Sequence, residues 1–223
     1  MPYFFGERSG DRVSIGGDDA RHLTLSLRAR PGQTITVLDP PDRVLDVRLE
    51  AVGRARVTGV VVREAEHRPE PQARVAIAAA MLPAPALELL LARCTEIGAA
   101  AFTLVRAERS VARGAKPDRW AAICREAAML AGRFTIPTVS GPVSLREALA
   151  DGSSYLLDRR ARLRLAGLNE PRDLTLVVGP EGGWTDGELE LADGRLLRLG
   201  NRNLRAETAA MAALTVTLAV RGD

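Results

Sequence analysis

Leu174-Thr175-Leu176-Val177-Val178-Gly179-Pro180-Glu181-Gly182-Gly183 decides how the chain is read. Five apolar or β-branched residues stop at a glycine, the pattern of a buried strand ending in a loop. A second such stop lies downstream, where Leu196-Leu197-Arg198-Leu199 runs into Gly200-Asn201-Arg202-Asn203-Leu204-Arg205-Ala206-Glu207-Thr208-Ala209. Strand ends of this kind are where α/β sheets hold ligands. Gly179, Gly182 and Gly183 allow close backbone approach, and Pro180 stiffens the turn. Glu181 sets a carboxylate at the centre, the wrong sign for a phosphate cradle. Neither G-x-G-x-x-G nor G-x-x-x-x-G-K occurs at these loops, which disfavours a nucleotide-dependent oxidoreductase on a doubly wound sheet. The first loop suits a ligand that is neutral or cationic where it touches. Taken alone, it also fits a plain Gly-Pro turn between a strand and a helix.

Upstream of these loops, strands and helices alternate from Ala73 onward. Val75–Met81 reads as an apolar strand, and Ala86–Ile97 as a helix stopped by Gly98. Phe102–Arg106 reads as the next strand. Pro117-Asp118 opens a helix reaching Gly132, with Trp120, Ile123, Ala127 and Leu130 on one face. Ser144-x-x-Glu147 and Thr185-x-x-Glu188 are capping boxes for two short helices, with a strand at Tyr155-Leu156-Leu157 between them. Alternation of this kind predicts an α/β domain: a mostly parallel sheet with helices on both faces. From Thr208 to Val220 no residue is charged, so the final helix is expected to be buried all round, in part against another subunit.

The first 66 residues follow a different pattern. Short β-prone runs at Arg12–Ile15, Thr34–Asp39, Val44–Ala51 and Ala55–Val62 are separated by Gly16-Gly17, Pro40-Pro41-Asp42 and Gly53, which predicts a small barrel or sandwich. One helix interrupts it, capped by Asp18 or Asp19, with Ala20, Leu23 and Leu27 inward and Pro31-Gly32 at its end. Arg63 to Arg74 is polar and carries two prolines, a linker between residues 1–66 and 67–223.

Composition narrows the function classes. At 223 residues, 46% hydrophobic and 26% charged, the chain can bury a core in water. No apolar run approaches membrane-spanning length and the N-terminus lacks signal-peptide features, so the cytoplasm is expected, with no membrane partner. Net charge is +3 and Lys116 is the only lysine; arginine suits phosphate forks, and a GC-rich coding bias would also produce it. Cys94, Cys124, His22 and His67 are too few and wrongly spaced for a structural metal site, so no metal is expected.

Together, G-P-E-G-G and L-G-x-R-x-L-R-x-E-T-A at this spacing resemble the ribosomal RNA small subunit methyltransferase E family, a branch of the SPOUT methyltransferases. The resemblance spans nearly the whole chain and is sharpest from Gly179 to Ala209. It implies a knotted C-terminal SPOUT domain behind an N-terminal PUA-like RNA-binding β-barrel. It also implies S-adenosylmethionine as cofactor, a homodimer, and methylation of uridine N3 in 16S rRNA of the small (30S) subunit. The cofactor's sulfonium is a cation, in agreement with the sign of Glu181.

Carried over residue by residue, the family pattern puts Leu157, Gly179, Pro180, Glu181, Gly182, Leu199, Gly200 and Leu204 around the cofactor. Arg205 is the candidate for holding a phosphate or the uracil carbonyls. Glu207 accepts a proton or orients Arg205, unless it is simply an acid favoured by the helix dipole. His22, Arg28, Arg109 and Arg133 are candidate RNA contacts, with ordinary surface residues as the alternative for each. The chain departs from the family pattern at Ala84-Pro85-Ala86, Met129-Leu130, Trp184 and Asn203. These departures fall partly on RNA-facing positions and leave two other readings: a SPOUT enzyme for another rRNA or tRNA base, and a non-catalytic RNA-binding assembly factor.

Overall fold

The computed structural model describes residues 2–111, 114–168 and 173–221. The chain divides into two units, the first running to Glu70 and reclaiming Ala128–Thr135, the second comprising Pro71–Ala127 and Ile136 onward.

In the first unit, β1 (Tyr3–Phe5), β2 (Glu7–Ser9), β3 (Arg12–Gly16), β4 (Thr34–Asp39), β5 (Arg43–Val52) and β6 (Arg56–Glu66) form one sheet in the order β1-β4-β5-β6-β3-β2. Only β1–β4 is parallel. Alternation sets the inner face: Leu45, Val47 and Leu49 of β5 are buried, whereas Arg48 and Glu50 are exposed. Register shifts at Asp46/Val47 and Leu49/Ala51 bend the sheet over a core of Phe4, Val13, Ile15, Leu23, Val37 and Met129. The barrel expected from sequence is thus a curled sheet, with β1 and β2 at its two edges.

Two expectations change here. The early helix is α-helical only over α1 (Gly17–Arg21), and His22–Ser26 forms a π-helical turn closed by Leu27 N–H donating to His22 O at 3.0 Å. The extra residue in that turn rotates Leu27 off the inner face, leaving it 44% exposed, while Leu23 stays in the core. The polar tract read as linker begins inside β6, where Arg63 pairs with Asp46 of β5 at 2.7 Å. Charges facing water on paired strands resemble a linker in sequence.

The second unit is built on β7 (Val75–Ala80), β8 (Ala101–Arg106), β9 (Thr138–Ser144), β10 (Ser154–Leu157), β11 (Leu174–Val178) and β12 (Leu196–Leu197). They pair in the order β12-β10-β11-β7-β8-β9, every pairing parallel. Successive residues of β7 feed opposite layers. Ile77 and Ala79 join α2 (Ala84–Ile97), α3 (Pro117–Ala131) and α6 (Ala206–Val220) on one face; Ala78 and Ala80 join α4 (Leu145–Ala148) and α5 (Asp186–Leu191) on the other. Helices therefore cover both faces, as the alternation predicts. Both capping boxes form, from Ser144 with Glu147 and from Thr185 with Glu188. Strand β9 went unread because Gly141-Pro142 interrupts it, which an edge strand tolerates. Leu130, expected inward with Trp120 and Ile123, is 58% exposed.

Candidate active site

Strands β10, β11 and β12 all stop at one end of the parallel sheet, and the loops that leave them enclose a cavity of about 170 Å³. From β10 come Leu157, Asp158 and Arg159. From β11 come Val178, Gly179, Pro180, Glu181, Gly183 and Trp184. From β12 and the start of α6 come Leu197, Arg198, Leu199, Gly200, Arg202, Asn203, Leu204, Ala206 and Ala209. In the order β12-β10-β11-β7-β8-β9 these three strands are neighbours on one side of β7, so their loops meet at the carboxyl ends, where α/β sheets hold ligands.

The β11 loop is braced from several sides. Trp184 lies under Gly179 and donates Nε1–H to Leu157 O at 3.2 Å, joining the ends of β10 and β11. A Cβ on Gly179 would sit 2.8 Å from the Trp184 ring. Arg109 donates Nη1–H to Gly182 O at 3.0 Å, its side chain lying against Gly182. Buried Glu188 accepts from Thr185 N–H at 2.9 Å and from Glu108 N–H at 2.9 Å, tying α5 to the chain leaving β8. Arg160 bonds Asp158 and Asp186, and the Asp158 carboxylate foremost raises its pKa.

Residues 68–218 match the family described as RNA methyltransferase domain. Ribosomal RNA small subunit methyltransferase E of Mycobacterium bovis is 34% identical over 225 residues, covering 92% of this chain and 86% of that protein. The chain belongs to the ribosomal RNA small subunit methyltransferase E family. A Synechocystis protein of the same name is 32% identical, covering 91% of this chain and 71% of that protein. The crystal structure of ribosomal RNA small subunit methyltransferase E from Neisseria gonorrhoeae bound to S-adenosyl methionine aligns with a TM-score of 0.85 at 29% identity, covering 96% of this chain and 95% of that one.

Of the family residues named from sequence, Leu157, Gly179, Pro180, Glu181, Leu199, Gly200 and Leu204 line the cavity; Gly182 faces Arg109 instead. Arg205 is the N-cap residue of α6, contributing its carbonyl to Ala209 N–H at 2.8 Å. Its guanidinium is exposed and has no partner among the described residues. Glu207 is 8% exposed, and its Oε2 is buried without a hydrogen-bond partner among the described residues. Neither Arg205 nor Glu207 is a lining residue, although their neighbours Leu204, Ala206 and Ala209 are.

The four candidate RNA contacts diverge. His22 and Arg28 are exposed on the first unit, Arg28 with a φ of +51°. Arg109 is committed to the β11 loop. Arg133 is corrected: it is 3% exposed, and its Nε and Nη2 donate to Glu70 Oε2 at 3.1 and 2.7 Å, so it serves the first unit's interior and not a surface phosphate. Burial also pushes the Cys94 thiol up to about 12, which removes it as a nucleophile. No group of three His, Cys, Asp or Glu among the described residues could hold a metal, and no helix there is long and apolar enough to cross a membrane. Sequence reasoning missed Asp158, Arg159, Arg198 and Arg202. At the third strand end, that of β10, the family resemblance names Leu157 but none of the arginines that follow it.

Proposed function

We propose that this chain transfers a methyl group from S-adenosylmethionine to N3 of a uridine in 16S rRNA, acting as a cytoplasmic homodimer on the small ribosomal subunit. The observation that carries the reading is the convergence of both sequence-identified loops on one cavity. The cavity fits the cofactor's chemistry. It offers bare backbone at Gly179 and Gly200, apolar walls at Leu157, Leu199 and Leu204, and a carboxylate at Glu181 for a positive centre. When bound, S-adenosylmethionine supplies an electrophilic methyl group on a good leaving group. The protein's task is alignment and management of the N3 proton.

Arg205, exposed beside the cavity and without a side-chain partner among the described residues, holds the uracil carbonyls or an adjacent phosphate, where negative charge grows as the proton leaves. Glu207 accepts the N3 proton or fixes Arg205; its buried Oε2, without a partner among the described residues, supports a partner that arrives with substrate or a second subunit. The dimer reading rests on α6, where Thr208, Thr215 and Ala219 stay exposed and Met211 and Ala212 half-buried on a helix with no charge beyond Glu207. The knot belongs to the same reading, since α6 returns past β11 and β7 to pack on α2. A PUA-like RNA-binding role for the first unit, with His22 and Arg28 at its surface, is also part of it.

The test is methyl transfer from labelled cofactor to 30S particles and to naked 16S rRNA, followed by nucleoside analysis. Label on uridine N3 is expected, with Arg205→Ala lowering kcat about 100-fold. Label on another base would redirect the substrate assignment. Failure to bind the cofactor in calorimetry would leave a non-catalytic RNA-binding factor.

A further inference from the structure

The loop that leaves β10, Asp158-Arg159-Arg160-Ala161-Arg162-Leu163-Arg164, carries four arginines in seven residues. Only Arg160 is consumed in holding the loop, through Asp158 and Asp186. Arg159, Arg162 and Arg164 are exposed, and their guanidinium groups have no partner among the described residues. Backbone bonds lace this loop to the end of β12: Arg198 N–H donates to Leu163 O and Leu165 N–H to Arg198 O, each at 3.0 Å, with Arg164 and Arg198 bridged in parallel. The lacing brings two basic segments side by side. Arg159, Arg198 and Arg202 consequently line the same cavity. Arg198 gives Nη1–H to Asn201 Oδ1 at 3.2 Å, and its Nε is buried with no partner among the described residues.

Unpaired guanidinium groups held close together repel one another, and an arriving anion removes that cost. A single small carboxylate needs one fork and would satisfy one of them. A tract that begins inside the cavity and continues over exposed Arg162 and Arg164 matches a polyanion. We propose that Arg159, Arg198 and Arg202, continued by Arg162 and Arg164, form a phosphate-binding edge of the cavity that seats the RNA backbone beside the target nucleotide. This rests on reading the cavity as the methyl-transfer site.

The experiment compares wild type, Arg159→Ala, Arg202→Ala, the double variant, and Arg93→Ala as a control that removes one positive charge from an exposed arginine of α2 paired with Glu96. Binding of a small-subunit rRNA fragment is measured across a salt series, and S-adenosylmethionine binding is measured without RNA. Each removed phosphate contact is expected to flatten the slope of log K against log salt by about 0.7 to 0.9. The double variant should weaken RNA binding at least about tenfold at moderate salt, with cofactor affinity within about twofold of wild type. The control should keep the wild-type slope, since Arg93 lies on α2 and does not line the cavity. Unchanged slopes in the single and double variants would overturn the proposal, as would a parallel fall in cofactor affinity, which would assign the arginines to the cofactor's carboxylate. Failure of the wild type itself to bind cofactor would sink the methyl-transfer reading instead. Charge reversal at exposed Arg162 (Arg162→Glu) extends the test to a position outside the cavity, where a fall in RNA affinity alone is expected.

Discussion

Gly179 shows why a single residue can govern this site. Its missing Cβ leaves room for the Trp184 ring, which in turn bonds the last carbonyl of β10. Gly179→Ala should displace that ring, costing about 1 to 3 kcal/mol of stability and weakening cofactor binding about tenfold or more. Calorimetry with S-adenosylmethionine and a denaturant titration check both. Wild-type affinity with the Trp184 emission unchanged would contradict the packing argument. Arg133 makes the opposite point. Arg133→Ala strands the partly exposed Glu70 carboxylate and should cost about 2 kcal/mol in the first unit. Its cofactor affinity should stay at the wild-type value. The sequence disclosed the glycines because a bare backbone position leaves a signature. It did not disclose which arginines are spent internally, because Arg109, Arg133 and Arg205 carry the same side chain and only their surroundings differ.

Elements were legible where their ends carry chemistry. The S/T-x-x-E pattern predicted both capping boxes, yet the two carboxylates have unequal work. Glu147 is exposed and bonds only Ser144, whereas Glu188 is buried and also accepts from Glu108. Glu188→Ala should cost about 2 kcal/mol and loosen the β11 loop, a larger effect than Glu147→Ala. Thermal unfolding of the pair decides it, and equal losses would contradict the bond to Glu108. The Glu147 carboxyl is held below its ordinary value of 4.5 by the Ser144 backbone N–H foremost and the Ser144 hydroxyl. Because its folded pKa is depressed, its contribution is present above the unfolded value and is lost as pH falls below about 4.5 through the folded one. The acid limb of a stability–pH curve should shrink in Ser144→Ala. Gly187 sits within α5 with nothing within 4 Å of its Cβ position, so Gly187→Ala should stabilise by about 0.5 to 1 kcal/mol. The π-helical turn and edge strand β9 escaped reading because neither keeps a 3.6- or 2-residue period.

At the scale of the molecule, α6 makes the strongest demand. Ala210, Ala213, Leu214 and Leu218 are buried in the chain's own core, while Thr215, Ala219 and Val220 are exposed on a helix nearly free of charge. A second subunit covering that face should appear as a dimer in sedimentation at micromolar concentration, and Ala212→Arg or Thr215→Arg should shift it to monomer. A wild-type monomer would refute this. Pattern and spacing in the sequence determined the α/β alternation, the helix caps and the two glycine loops, because periodicity, capping and bare backbone are local properties. Folding alone decided that the arginines beyond Leu157 join those two loops, that Arg133 turns inward, and that residues 128–135 return to the first unit. Each of these depends on which distant segments become neighbours, a matter settled by burial and strand pairing across the whole chain.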